Sequence, residues 1–121
     1  MTDVVFLGDG PFHEGERVLL EKMIAAMRPT GAYSVRDDAA AWLTEGGSSA
    51  TKLVITLGAK ATAALEPATA FGGLRGKCHE GPRGTTMLAT AHPRDLLREP
   101  AAKREAWADL QRAMAELGID P

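Results

Sequence analysis

The chain has 121 residues, 45% of them hydrophobic and 25% charged, with a formal net charge of −2. That is one domain's length and an ordinary globular mixture, which excludes a disordered, collagen-like or fibrous protein. No apolar run approaches the ~20 residues of a membrane span, and the slight acidity argues against a generally sticky nucleic-acid binder.

Val4-Val5-Phe6-Leu7 reads as a buried strand, closed by Gly8-Asp9-Gly10-Pro11. Glu16 to Met27 reads as a helix with Val18, Leu19, Met23 and Ile24 on one face and Pro29 closing it. Ala32 to Val35 is a short second strand. Asp37 to Glu45 is a helix with Asp37 or Asp38 as N-cap and Gly46-Gly47 as its stop. Leu53 to Leu57 is the clearest strand, and Gly58 turns it into a helix over Ala59–Leu65. Phe71 to Gly84 is glycine-rich and irregular, with room for a hairpin. Thr85 to Thr90 is the fourth strand, ending at Ala91-His92-Pro93. The last helix starts near Pro100, buries Ala106, Leu110, Ala113, Met114 and Leu117, and ends at Gly118.

Apolar strands alternating with amphipathic helices imply a three-layer α/β/α domain spanning 1–121, around a mainly parallel four-stranded sheet. Ligands in such sheets sit beyond the carboxyl ends of the strands. The loops Gly8–Phe12, Gly58-Ala59 and His92–Asp95 leave strands in that position and are expected to share one edge. Met1-Thr2-Asp3 leads straight into the first strand without a signal peptide, so a cytoplasmic protein with no membrane attachment is expected. The one cysteine, Cys78, excludes an internal disulfide and an all-cysteine metal site. The three histidines lack metal-ligand spacing, so neither metal nor cofactor is expected. The chain contains no asparagine.

Charge is uneven. Gly72 to Arg104 carries seven Lys or Arg against three Asp or Glu, net +4, leaving −6 for the remainder. This gives either one basic face or charges scattered over solvated loops. Asp9, between Gly8 and Gly10, suits a carboxylate that orients a water or faces a developing cation, and equally suits a plain Asp-Gly turn. Gly8-Asp9-Gly10 is not a dinucleotide fingerprint, because His13 stands where a third glycine belongs. Phe12 is either a stacking platform or core. Pro93 favours an extended His92, whose neutral imidazole can donate one hydrogen bond into a pocket or simply be structural. Gly58 brings amides toward an anion or makes an ordinary tight turn.

Four segments together resemble the C-terminal half of bacterial family-four uracil-DNA glycosylases. They are the Lys52–Leu65 strand–Gly–helix unit, Leu74-Arg75-Gly76, the loop His92-Pro93-Arg94-Asp95-Leu96-Leu97-Arg98, and the run Lys103 to Gln111. Their order and approximate spacing match over residues 52 to 111. The N-terminal half matches more weakly. Gly8-Asp9-Gly10-Pro11 is similar to the family's GE(A/G)PG motif with Asp9 in place of Glu, and Pro11-Phe12 with Leu19–Met23 is similar to a later family segment, the residues between being missing. The strand that carries the family's uracil-reading Asn falls near Ala32–Arg36, which reads AYSVR. The family's iron–sulfur cysteines have no counterparts here.

The resemblance implies a glycosylase-like fold and a site for a base flipped from DNA. By that resemblance His92 faces the uracil carbonyl oxygen and Asp9 orients water or favours the cationic sugar. Phe12 stacks on the base, with Gly8 and Gly10 beside it and Ser34 as a polar substitute for the Asn. Arg75, Arg94 and Arg98 contact phosphates. Without the Asn, hydrolysis of the uracil–deoxyribose bond is expected to be weak or absent. The competing expectation is a non-catalytic glycosylase-fold module that binds a protein partner of the replication or repair machinery.

Overall fold

In a computed structural model the described residues are 4–28, 32–45 and 51–118. In chain order they form β1 (Val4–Leu7), α1 (Glu14–Met27), β2 (Tyr33–Arg36), α2 (Ala39–Thr44), β3 (Leu53–Leu57), α3 (Ala59–Leu65), α4 (Phe71–Leu74), β4 (Cys78–Glu80), β5 (Thr86–Thr90), α5 (Pro93–Arg98) and α6 (Lys103–Glu116). Single 3-10 turns at Pro82–Gly84 and Pro100–Ala102 precede β5 and α6. The sheet order is β2-β1-β3-β5-β4. All pairings are parallel except the edge pair β4–β5.

The sheet therefore has five strands rather than the expected four. The additional strand pairs Cys78 with Leu88 and Glu80 with Thr86 across the Pro82–Gly84 turn, closing the hairpin for which the sequence left room. Three residues of mixed polarity at a sheet edge carry too little periodic signal to read as a strand.

The alternation of the strands divides the core. Val4, Phe6, Leu53, Ile55 and Leu88 face α1 and α6, where they meet Leu20, Ile24, Leu110 and Met114. Val5, Leu7, Val54 and Met87 face α2 and α3, where they meet Trp42, Ala61 and Leu65. Strands covered on both faces are apolar at nearly every position, so β1 reads as an unbroken apolar run and β3 is interrupted only by Thr56.

Helix boundaries follow local chemistry. α1 starts two residues before the expected Glu16, because Glu16 is the third helical residue and its carboxylate accepts the His13 N–H at 3.2 Å. Its buried face is Leu20, Ile24 and Met27, whereas Val18 is 45% exposed. Asp38 caps α2 by accepting the Ala41 N–H at 3.0 Å. The expected stops at Pro29 and Gly46-Gly47 lie outside the described residues. Among the described residues no helix is long and apolar enough to cross a membrane.

Candidate functional site

Chain direction sets the location. From β1 the chain moves to one neighbour, β2, and β3 lies on the other side of β1, so the strand order reverses at β1/β3. Crevices form beyond the carboxyl ends of strands at such a switch point. Asp9 follows β1 there, Gly58 follows β3, and His92 follows β5.

His92 is the buried centre of this edge, at 1% exposure. It is also the N-cap of α5, a helix where the sequence suggested only a loop. Pro93 at the first helical position has no N–H to leave unpaired and a ring that fixes a helical φ, so the dipeptide starts a helix. His92 Nδ1 accepts the Arg94 backbone N–H at 3.0 Å. That bond fixes the tautomer: Nδ1 carries the lone pair and Nε2 carries the proton. Nε2 points toward Asp9 Oδ1 at 3.5 Å, longer than a good hydrogen bond. Burial, then the nearby Arg94 charge, lower the His92 pKa, against smaller opposing effects of Asp9, Glu16 and Asp95. The ring is neutral at pH 7 and presents one N–H donor.

Gly58 makes the seat for this ring. Its φ is +91°, and a Cβ there would lie 3.1 Å from the His92 Cβ. Its N–H donates to the Thr90 carbonyl at 2.8 Å, tying β3 to β5 beside the site. Thr62 donates its hydroxyl to the Gly58 carbonyl at 2.8 Å and accepts from the Thr56 hydroxyl at 2.8 Å. Gly58 thus serves close packing.

Asp9 keeps 7% of its side chain exposed and lies 3.5 Å from both His92 Nε2 and Arg94 Nη2. Phe12 lies against both glycine and histidine. Its ring stacks on the imidazole with centroids 5.2 Å apart and planes 21° apart. A Cβ on Gly8 would fall 2.6 Å from the tip of the Phe12 ring, so Gly8 is required for that position. Gly10, at φ +145°, turns the chain between Asp9 and Phe12. The structure thus brings Gly8, Asp9, Gly10, Phe12, His92 and Arg94 together. A base sandwiched between two rings needs them about 7 Å apart, twice the optimal carbon–carbon separation, so Phe12 closes the space above His92.

Two expected members stand apart. Ser34 pairs with Val5, two residues below the last β1 residue, roughly 7 Å beneath the strand ends. Nearer the edge β2 carries Val35 and then Arg36, ion-paired with Glu45 at 2.7 Å, and beyond the strand come Asp37 and the α2 cap Asp38. Arg75 packs between the sheet and α6. Its Nε donates to Asp109 Oδ2 at 2.9 Å and its Nη1 lies 3.3 Å from Glu105. Asp109, 9% exposed, also accepts the Thr90 hydroxyl at 2.8 Å. This buried carboxylate went unread in the sequence, where it looks like any polar residue between apolar ones. Arg98 and Arg94 lie one helical turn apart on α5, both exposed.

A cavity of about 500 Å³ opens on the other side of Asp9. Asp37, Asp38 and Lys60 border it, and Ala39, Ala40, Ala61 and Ala64 form its wall. A cysteine-held cluster of the kind carried by the resembled glycosylases does not fit this chain. Cys78 is its single cysteine, and among the described residues no three His, Cys, Asp or Glu side chains are grouped to hold a metal ion. Burial raises the Cys78 thiol pKa, with Glu116 adding to it.

The family model described as the uracil DNA glycosylase superfamily matches residues 1–111. A search of curated proteins finds no match.

Proposed function

Because the chain belongs to the uracil DNA glycosylase superfamily, we propose that it binds DNA, takes up a flipped uracil, and hydrolyses the uracil–deoxyribose bond slowly. The observation that carries this reading is the buried, neutral His92, whose one N–H points to the carboxylate side of the switch-point crevice.

The chemistry follows from the groups present. The target base leaves the stack, at least cost from single-stranded DNA. Phe12 shifts from His92 and stacks on the base instead. As the glycosidic bond breaks, its electron pair goes to the uracil ring and negative charge grows on the carbonyl oxygen. His92 Nε2–H donates to that oxygen, and a fixed donor in a water-poor site stabilises the charge without reorganisation. Positive charge grows on the sugar, and the Asp9 carboxylate stabilises it electrostatically or orients the water that adds. The water oxygen forms the new C–O bond and its proton ends on the departing uracil anion, leaving neutral uracil and an abasic sugar. Arg94 and Arg98 contact phosphates flanking the extruded nucleotide. Arg75 is committed to Asp109 and drops out of that set.

Two features make the reaction slow. The β2 end offers two carboxylates and a paired arginine where uracil reading needs a donor and an acceptor on one amide. Loss of one well-placed donor costs about 10²–10³ in rate. Phe12 must also leave its stacked position before a base can enter. That closed arrangement favours the second reading, a non-catalytic module of replication or repair that has kept the fold. Excision assays on uracil-containing single- and double-stranded oligonucleotides separate the two. Slow, His92-dependent release supports the enzyme, and no release above a protein-free blank supports the module.

A further inference from the structure

Away from this site, α1, α5 and α6 leave a groove of about 200 Å³ between them. Leu19 and Met23 of α1, Leu96 of α5 and Trp107 of α6 line it, all with apolar surface. Trp107 is only partly buried, although it packs on the core. Isolated exposed apolar side chains are normal on a protein surface, but a continuous patch is not. This one extends toward Val18 of α1 and Leu97 of α5, which are 45% and 47% exposed, and a Cβ added at Gly15 would lie 3.6 Å from the Leu97 side chain.

The charges at its rim are of one sign. Lys22 on α1 and Lys103 at the start of α6 border the groove. Both are exposed, and neither has an ion-pair partner among the described residues. An occupant must therefore offer an apolar side chain to the slot and carboxylates to either side. The volume suits one or two side chains, which is a peptide segment and not a second folded surface. We infer that this groove is the docking site of a short acidic peptide segment, belonging to another protein and carrying an apolar anchor that packs on Trp107. The anchor supplies burial, and Lys22 and Lys103 set the direction and exclude basic segments. The inference is independent of the glycosidic chemistry, since none of the groove residues belongs to the Asp9–Phe12–His92 cluster.

The test uses the intact protein and the two indole N–H signals in its NMR spectrum. Trp42 is buried on the opposite face of the sheet and serves as the internal control. The probes are end-blocked peptides DDLFDD, KKLFKK and DDSGDD. The expected result is a saturable shift of the Trp107 signal with DDLFDD, weaker at high salt, with Trp42 unmoved and neither control peptide active. Lys22→Glu with Lys103→Glu, both at exposed positions, weakens DDLFDD binding by about tenfold or more. No Trp107 shift with DDLFDD, or an equal response to KKLFKK, overturns the proposal. So does a Trp107 shift that grows with protein concentration alone, which assigns the groove to a second copy of the chain.

Discussion

Asp109→Ala is expected to be among the most destabilising single substitutions outside the apolar core. Asp109 sits on the sheet-facing side of α6 and accepts from Arg75 Nε at 2.9 Å and Thr90 Oγ1 at 2.8 Å. Truncation strands both donors. Thr90 is fully buried, and Arg75 Nη2 is already buried without an acceptor. Each orphaned buried donor costs about 1–3 kcal/mol, and breaking a buried pair costs about 3–5 kcal/mol. The Arg75 side chain is 24% exposed and retains Glu105 at 3.3 Å, which pulls the total toward the lower end. The expected loss is about 2–4 kcal/mol. For a domain this size that lowers the midpoint by roughly 8–15 °C, measured by circular dichroism on heating. Arg75→Ala should cost nearly as much, and the double variant should show a coupling of about 1–3 kcal/mol. Arg75→Ala should also leave the salt dependence of DNA binding unchanged. A midpoint drop below about 3 °C for Asp109→Ala, or an additive double variant, refutes the clamp. A reduced salt slope in Arg75→Ala would return that arginine to the DNA surface.

Stability should fall on acidification, because the His92 pKa is held below its ordinary 6.5 by burial. The unfolded chain then binds the proton first, so His92 contributes stability fully above about pH 7 and loses it as pH drops through 6.5 toward the folded value. His92→Gln should flatten that limb of a urea-denaturation pH series, and an unchanged slope refutes the linkage. Phe12→Ala should uncover the imidazole and raise its pKa, read by NMR titration, while costing less than the ~3–5 kcal/mol of a fully buried Phe. An unmoved titration would mean that the stacked ring does not shield His92. For single-stranded DNA, Arg94→Ala with Arg98→Ala should reduce the log–log salt slope by about 1.4, roughly 0.7 for each lost phosphate contact. A slope equal to wild type removes both residues from the DNA surface.

The strands Val4–Leu7 and Leu53–Leu57 were legible because a strand covered on both faces is apolar at nearly every position, Thr56 being the one polar residue among them. The shared edge of Asp9 and His92 was legible too, since topology alone carries every parallel strand's exit to one side. What escaped was set by tertiary pairing. α5 was hidden because His92-Pro93 looks like a break until the cap bond from Arg94 is seen. Arg75 looked like a phosphate ligand because its partner Asp109 lies 34 residues away in the chain. Ser34 looked adjacent to the site, but the β1–β2 register puts Arg36 at the edge instead.

The proposed site handles uracil with a surviving leaving-group donor and weakened base recognition. Single-turnover excision, with protein in excess over a uracil-containing single-stranded oligonucleotide, tests it most directly. A thymine oligonucleotide and the His92→Ala protein serve as controls. The expected result is slow, first-order uracil release, faster from single than from double strands, undetectable from thymine and abolished by His92→Ala. Fast release equal on both strand forms, release that survives His92→Ala, or no release above the blank would each contradict it.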